Sequence, residues 1–232
     1  MLDWLYPNTC EFCGELSDST ICPACLAGLE RVPRPICLYC GAPTYGLAEH
    51  GDSCRACRPF PRDYDVARAA LLRTPQAMDL VHSFKYARAS YLCVALAPLL
   101  ADVWEQTPKL REHGDWVLVP VPVERGRLMR RGYNQAEELA RALGKLRRRP
   151  VLPLLQRVGT EYASQTRLSA RERQRNARQA YRLIPGITEA PPHLLLVDDV
   201  YTTGATARAC AAALRRLSGV QKIGVLTLLR AE

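Results

Sequence analysis

Two adjacent carboxylates, Asp198 and Asp199, stand between an apolar run and a small hydroxylated turn. Leu194 to Val197 precede them, and Thr202, Thr203, Gly204, Ala205 and Thr206 follow shortly after. The chemistry this order offers is capture of a phosphorylated sugar. A small-residue turn that opens a helix presents backbone N–H groups and the positive end of the helix dipole to a phosphate. The threonine hydroxyls add donors. The acid pair can hold ribose hydroxyls directly or through a metal ion. Adjacent aspartates in loops are common, but a strand feeding them into a threonine–glycine turn is not.

A second chemistry lies near the start of the chain. Eight of the ten cysteines fall within residues 10–57, as four Cys-x-x-Cys pairs: Cys10 and Cys13, Cys22 and Cys25, Cys37 and Cys40, Cys54 and Cys57. Cys13 and Cys40 are each followed by glycine, as in a zinc knuckle, where both sulfurs face one point and the chain turns sharply. Eight thiolates suit two tetrahedral zinc sites, which replace a core that so short a segment cannot build. The simple pairing is sequential, Cys10/13/22/25 with Cys37/40/54/57; a crossed pairing uses the same ligands. An iron–sulfur cluster and redox-active thiols are weaker alternatives. His50 reads as a surface residue. Such sites are usually structural, but a zinc module can also grip nucleic acid or a partner; Arg31, Arg34, Arg55, Arg58 and Arg62 lie in this one, though scattered.

Arginines supply the third set. Arg125, Arg127, Arg130 and Arg131 follow a short apolar strand, Trp116 to Val121, and read as a loop beyond a strand's carboxyl end, where α/β sheets bind ligands. Forked guanidinium bonds there suit a diphosphate; a solvated basic loop reads the same way. Farther on, Ser169 and Glu172 match a capping box. From there Arg171, Arg175, Arg178 and Arg182 fall at helical spacing on one face, and Arg167 extends the line. That stripe can track a nucleic-acid backbone, close over a phosphorylated substrate, or simply be solvated. Lys85 reads from composition as a surface residue at a helix end. No strong general base is evident, for His82, His113 and His193 are isolated in sequence.

The elements that must position these groups alternate. After a proline-rich linker, Pro59 to Asp63, a strand over Val66 to Leu72 is expected. Helices follow from Pro75 to Phe84 and from Tyr91 to Trp104. From residue 116 the pattern is strand, helix, strand (Val151 to Leu155), helix, strand (Leu194 to Val197), helix (Ala207 to Leu217) and strand (Ile223 to Leu229). This predicts an α/β fold with a mostly parallel sheet. The expected division is a cysteine-rich zinc-binding module at 1–60 and an α/β domain at 61–232. The net charge of +9 favours polyanionic partners but is also compatible with solubility alone. No apolar run approaches the roughly 20 residues of a spanning helix. The opening residues lack a secretory pattern, so a cytoplasmic location is expected.

These residues carry a resemblance. Leu194 to Thr206 looks like the phosphoribosyl-diphosphate (PRPP) signature of type I phosphoribosyltransferases. The chain as a whole resembles the ComF family of competence-associated proteins, ComFC and GntX-like members included. The likeness rests on the cysteine knuckles, Phe84-Lys85-Tyr86, Val119 to Pro122, Arg131-Gly132-Tyr133-Asn134-Gln135, Gln165, Arg171, Arg175, Asn176 and the Asp198 to Thr206 stretch. It implies a type I phosphoribosyltransferase-like domain bearing a zinc ribbon. Asp198 and Asp199 would meet the ribose of PRPP with Mg²⁺ nearby, and residues 202–206 would hold its 5′-phosphate. Lys85, Arg130 and Arg131 become diphosphate candidates. The implied role is DNA uptake in natural transformation. Single-stranded DNA would be the polyanion, met by Arg167, Arg171, Arg175, Arg178 and Arg182, and DNA-uptake or helicase and recombination proteins would be candidate partners. The competing implication is a catalytically active transferase with an unknown acceptor, nucleobase salvage faring worst.

Overall fold

A computed structural model describes residues 8–45, 53–86, 89–158 and 180–231. Four parallel strands form its centre, in the order β1-β6-β5-β2: β1 (Val66–Leu72), β2 (Val117–Pro120), β5 (His193–Tyr201) and β6 (Lys222–Arg230). Residues Leu194 to Val197 of β5 are fully buried. They are paired to β2 on one side and β6 on the other, and both sheet faces are covered, which is why the strand reads as an unbroken apolar run.

Helices α2 (Pro75–Tyr86), α3 (Leu92–Glu105) and α6 (Gln135–Arg147) pack on one face through Leu80, Phe84, Leu96, Leu100, Leu139 and Leu143. Helix α7 (Ala205–Leu214) covers the other face through Ala207, Cys210, Ala211 and Leu214. Cys93 and Cys210 are core residues, as their apolar neighbours predict. Short helices α1 (Pro23–Ala27), α4 (Pro108–Arg111) and α5 (Arg125–Arg131) and an antiparallel pair, β3 (Leu155–Arg157) with β4 (Tyr181–Leu183), complete the described elements.

Three expectations are corrected. Residues 125–131 form helix α5 rather than an arginine loop. The strand expected over Val151 to Leu155 is a single parallel bridge from Val151 to Leu118, and the strand proper is β3, outside the main sheet. Arg182 lies exposed on strand β4, opposite Gln156, so it does not continue a helical stripe. Ser169, Arg167, Arg171, Arg175 and Arg178 lie outside the described residues, as do Gln165, Asn176 and His50.

The cysteine-rich segment wraps the β1 edge of the sheet. Its first half joins the helical face through Cys10, Ile21 and Leu29. Its second half joins the opposite face through Cys37, Tyr39, Cys40, Cys54 and Cys57. Between them the chain runs along β1: Leu72 N–H donates to Glu30 O at 2.9 Å, Ala67 N–H donates to Tyr39 O at 2.8 Å, and Arg31 bridges to Leu71. Buried Arg68 of β1 donates to the Leu38 carbonyl at 3.1 Å. Gly41 has φ of 72°, and a Cβ there would lie 2.6 Å from the Ala67 carbonyl oxygen, so the second knuckle can approach β1 only through glycine.

Candidate functional site

The acids emerge where two strands part. Strand β5 stays paired to β6 as far as Tyr201, opposite Arg230, but its ladder with β2 ends at Val197 opposite Pro120. Asp198 therefore has a backbone neighbour on one side and an opening on the other. The strand continues through both acids instead of stopping at them. Asp199 N–H donates to Asp198 Oδ1 at 2.8 Å, and Lys85 Nζ lies 2.7 Å from Asp199 Oδ2. Burial holds the Asp198 carboxyl well above the usual carboxylate range. The adjacent Asp199 charge adds to this, and Lys85 offsets part of it.

The Arg-Gly-Tyr-Asn-Gln segment explains how a lysine on α2 reaches β5. Tyr133 Oη–H donates to the carbonyl of Phe84, and Gln135 Nε2 donates to the carbonyl of Lys85 at 3.4 Å. Arg131 in turn donates to Gln135 Oε1 at 3.0 Å. Asn134 caps α6 by accepting from Ala136 N–H at 3.1 Å, while its Nδ2 donates to the Val121 carbonyl at 3.0 Å. The segment thus fastens three things at one point: the end of α2, the end of β2 and the start of α6.

Gly204 makes the turn into α7. Its φ of 74° is left-handed, and an added Cβ would overlap the Tyr201 hydroxyl and come within 3.0 Å of Arg208. Arg208 stands behind the turn and donates to the Thr203 carbonyl at 2.9 Å. With ten residues, α7 is long enough for an appreciable dipole at this end.

A cleft of about 180 Å³ lies at the carboxyl ends of β2 and β5. Of the residues expected there, Lys85, Arg131, Asp198, Asp199 and Thr206 line it, joined by Arg127. Thr202 and Gly204 line a small adjoining hollow beside Asp198. Thr203 and Ala205 face the opposite side of the turn, and exposed Arg130 is not part of the cleft wall. Sequence reasoning missed Arg157 and Tyr181, which reach the cleft from β3 and β4, the guanidinium 5.5 Å from the ring centroid. No local signal marks them, because only the pairing of β3 with β4 brings them there. His113 and His193 stack on each other at 4.7 Å. His193 opens β5, and its Nδ1 meets Asp115, so the two histidines belong to the other end of the strand.

The eight cysteines form two clusters, Cys10/13/22/25 and Cys37/40/54/57. Within each, the four sulfurs lie within 4.8 Å of one another. This is the sequential pairing. The donor set fits Zn²⁺: four thiols per cluster, with backbone N–H groups aimed at the lead sulfur of each. Cys22 N–H donates to Cys10 Sγ at 3.3 Å, and Cys54 N–H donates to Cys37 Sγ at 3.2 Å. A hydrogen bond from Cys40 and several backbone donors outweigh burial and hold Cys37 down to about 4. Burial raises Cys10, but the backbone donors bring it to about 6. Cys57 is pushed up to about 12 by burial and by the Cys37 charge. Cys10 and Cys37 are thus held towards the thiolate form, and protons leave each cluster when a divalent cation takes their place.

These features define a mixed α/β protein whose N-terminal segment is a pair of four-cysteine ribbons, and residues 1–58 match the double zinc ribbon domain family. The chain is 30% identical to Competence protein F of Haemophilus influenzae, covering 93% of both chains. It is 32% identical to DNA utilization protein YhgH of Salmonella typhimurium, covering 97% of both. To Competence protein ComFC of Streptococcus pneumoniae it is 27% identical, over 82% of this chain and 78% of that one. The chain belongs to the ComF family of competence and DNA-utilization proteins. Among the described residues, no helix is long and apolar enough to cross a membrane.

Proposed function

We propose that the cleft binds PRPP and that the protein handles single-stranded DNA in a competence or DNA-utilization role. The observation that carries the first half is the Asp198–Asp199 pair, with Lys85 on Asp199, placed directly before the glycine turn that opens α7. Asp198 and Asp199 meet the ribose hydroxyls. Thr202 to Thr206 take the 5′-phosphate. Lys85, Arg127 and Arg131 face the diphosphate, and Arg157 adds a fourth cation at the cleft. Two adjacent carboxylates are a hard oxygen donor pair suited to Mg²⁺, which would neutralise diphosphate charge when bound with PRPP. Lys85 and the arginines supply the fixed part of that neutralisation.

The second half rests on the basic surplus, on the arginine-rich 167–178 segment and on what the relatives' names say of them. Exposed Arg125, Arg127 and Arg130 on α5 extend the basic surface beside the cleft. Catalytic transfer to an acceptor is the alternative reading of the same cleft.

Calorimetric titration of PRPP with Mg²⁺ into the full chain is expected to give saturable binding that is lost in Asp198→Asn/Asp199→Asn. Retained binding in that variant would move the site elsewhere. For DNA, replacing Arg171, Arg175 and Arg178 with alanine should weaken oligothymidylate binding. It should also flatten the salt dependence by about 2 in log–log slope, at roughly 0.7 per lost phosphate contact; an unchanged slope would retire that surface. Diphosphate release from PRPP with candidate acceptors separates transfer from binding alone.

A further inference from the structure

The second metal cluster stands beneath the glycine turn, and both of its knuckles reach it. In the first knuckle Tyr39, set between Cys37 and Cys40, stacks on Tyr64 with ring centroids 4.6 Å apart. Tyr64 Oη in turn shares a 2.6 Å hydrogen bond with Tyr201 Oη. That is the hydroxyl a Cβ on Gly204 would overlap, so the turn rests directly on it. Beside the second knuckle, Phe60 N–H donates to the Cys57 carbonyl at 3.1 Å, and the Phe60 ring centroid lies 4.2 Å from Arg208 Cζ. Arg208 is the residue that donates to the Thr203 carbonyl.

Arg230, at the end of β6, ties the turn to a metal ligand itself. It is buried, and it donates to the Cys40 carbonyl at 2.6 Å and to Cys40 Sγ at 3.7 Å. Its Cζ lies 4.7 Å from the Tyr201 ring centroid. Four thiolates around one divalent cation leave excess negative charge, which a buried guanidinium offsets. With the metal gone and the thiols protonated, Arg230 keeps the carbonyl but loses most of that attraction. Among the described residues, the first cluster's contacts run instead to the helical face. There Tyr91 Oη–H donates to Glu11 at 2.7 Å, and Cys10 joins the core with Ile21 and Leu29.

We propose that the second zinc cluster positions the phosphate turn, with Arg230 and Tyr201 as the positioning residues, so that metal at Cys37/40/54/57 and PRPP in the cleft strengthen each other's binding. This rests on the PRPP reading of the cleft. The loaded cluster holds Arg230, and Arg230 holds the Tyr201 ring. The Tyr201 hydroxyl then sets where Gly204 lies, and with it the aim of the N–H groups that open α7. Linkage is reciprocal: if the loaded cluster raises PRPP affinity, bound PRPP raises zinc affinity at this cluster by the same factor.

The test is zinc release from the full chain to a colorimetric chelator, with and without PRPP and Mg²⁺ at concentrations that calorimetry shows to be saturating. Cys13→Ser identifies the release phase that belongs to the first cluster. PRPP is expected to slow release from the second cluster at least about fivefold and to leave the first phase unchanged. Arg230→Met should speed release from the second cluster about tenfold, as loss of a group bonded to a metal ligand does. At saturating zinc the same variant should still bind PRPP more weakly, while Arg230→Lys, which keeps the cation, restores part of both properties. Tyr201→Phe, which removes only the hydroxyl, is the second variant and should weaken PRPP binding with both zinc ions kept. PRPP that binds but changes neither phase, or slows both alike, would overturn the inference and leave the PRPP reading standing. Parent PRPP affinity in Arg230→Met or in Tyr201→Phe would overturn it too. No PRPP binding in the parent chain would overturn the PRPP reading, and this inference with it.

Discussion

Lys85 Nζ sits 2.7 Å from Asp199 Oδ2, and its helix is held there by hydrogen bonds from Tyr133 and Gln135 to the carbonyls of Phe84 and Lys85. Both partners are largely buried, so removing one leaves an uncompensated charge. Lys85→Met is expected to weaken PRPP binding about tenfold, or ~1.4 kcal/mol, in calorimetric titration. It should also destabilise the ligand-free chain. Adding Asp199→Asn to Lys85→Met should restore part of the stability but none of the binding; strictly additive stability losses would deny the pairing.

Asp198 is expected to make the ligand-free protein sensitive to pH. Its folded-state carboxyl is raised, by burial first and then by Asp199. The protonated form's contribution is fully present below the unfolded carboxylate range. It is lost as pH rises through the higher folded value. Asp198→Asn should therefore raise the melting temperature of the ligand-free chain at neutral pH and flatten its decline across that window. The same substitution should weaken PRPP binding. A lower melting temperature at neutral pH would show that the neutral carboxyl is not the form the fold prefers.

Gly204→Ala tests the turn. A methyl group would meet the Tyr201 hydroxyl and Arg208, and φ of 74° is a left-handed value that favours glycine. Urea unfolding is expected to report a loss of about 1–3 kcal/mol. PRPP affinity should fall further than stability, because the turn's N–H groups would be re-aimed.

The two metal clusters should behave unequally. Cys37, Cys40, Cys54 and Cys57 are all buried, whereas Cys13 of the first cluster is exposed. A colorimetric chelator should release two zinc ions per chain in two phases, the faster from Cys10/13/22/25. Cys13→Ser should lower zinc content towards one per chain and leave a folded protein. Cys37→Ser should lose the second-face core as well, read as exposed apolar surface by dye binding. A single release phase would contradict the difference in burial.

The legible parts of the chain are those where local pattern and tertiary role coincide. Leu194 to Val197 read as a strand because a strand covered on both faces takes successive apolar residues, and the run is short and ends in an acid pair and a glycine turn. The four cysteine pairs declare their ligands, whereas the choice of sequential over crossed clustering is made only by where the fold puts the sulfurs. Arg182 misled because helical spacing continues on paper past the point where β4 begins at Tyr181. Residues 125–131 looked like a loop because Gly126 and four arginines carry little apolar periodicity, yet they form a helix on the rim of the cleft. Lys85 had only the weak local signal of its Phe84-Lys85-Tyr86 segment. Its place depends on residues some fifty positions away, whose motif could be recognised but whose hydrogen bonds could not. Arg208 was hidden more deeply, for an arginine in an alanine-rich helix reads as a solvated residue, not as a buried cation beneath a turn.

The course of the ribbons along β1 has a consequence for how this gene product can be divided. β1 is a terminal strand, and its outward N–H and C=O groups are met by Glu30, Arg31 and Tyr39. A fragment beginning near residue 61 would bare that edge, with Leu71 and the surrounding apolar surface beside it. Bared edges recruit other strands. Such a fragment is expected to polymerise edge to edge instead of surviving as a monomer, so the cysteine-rich segment acts as a built-in chaperone for the sheet.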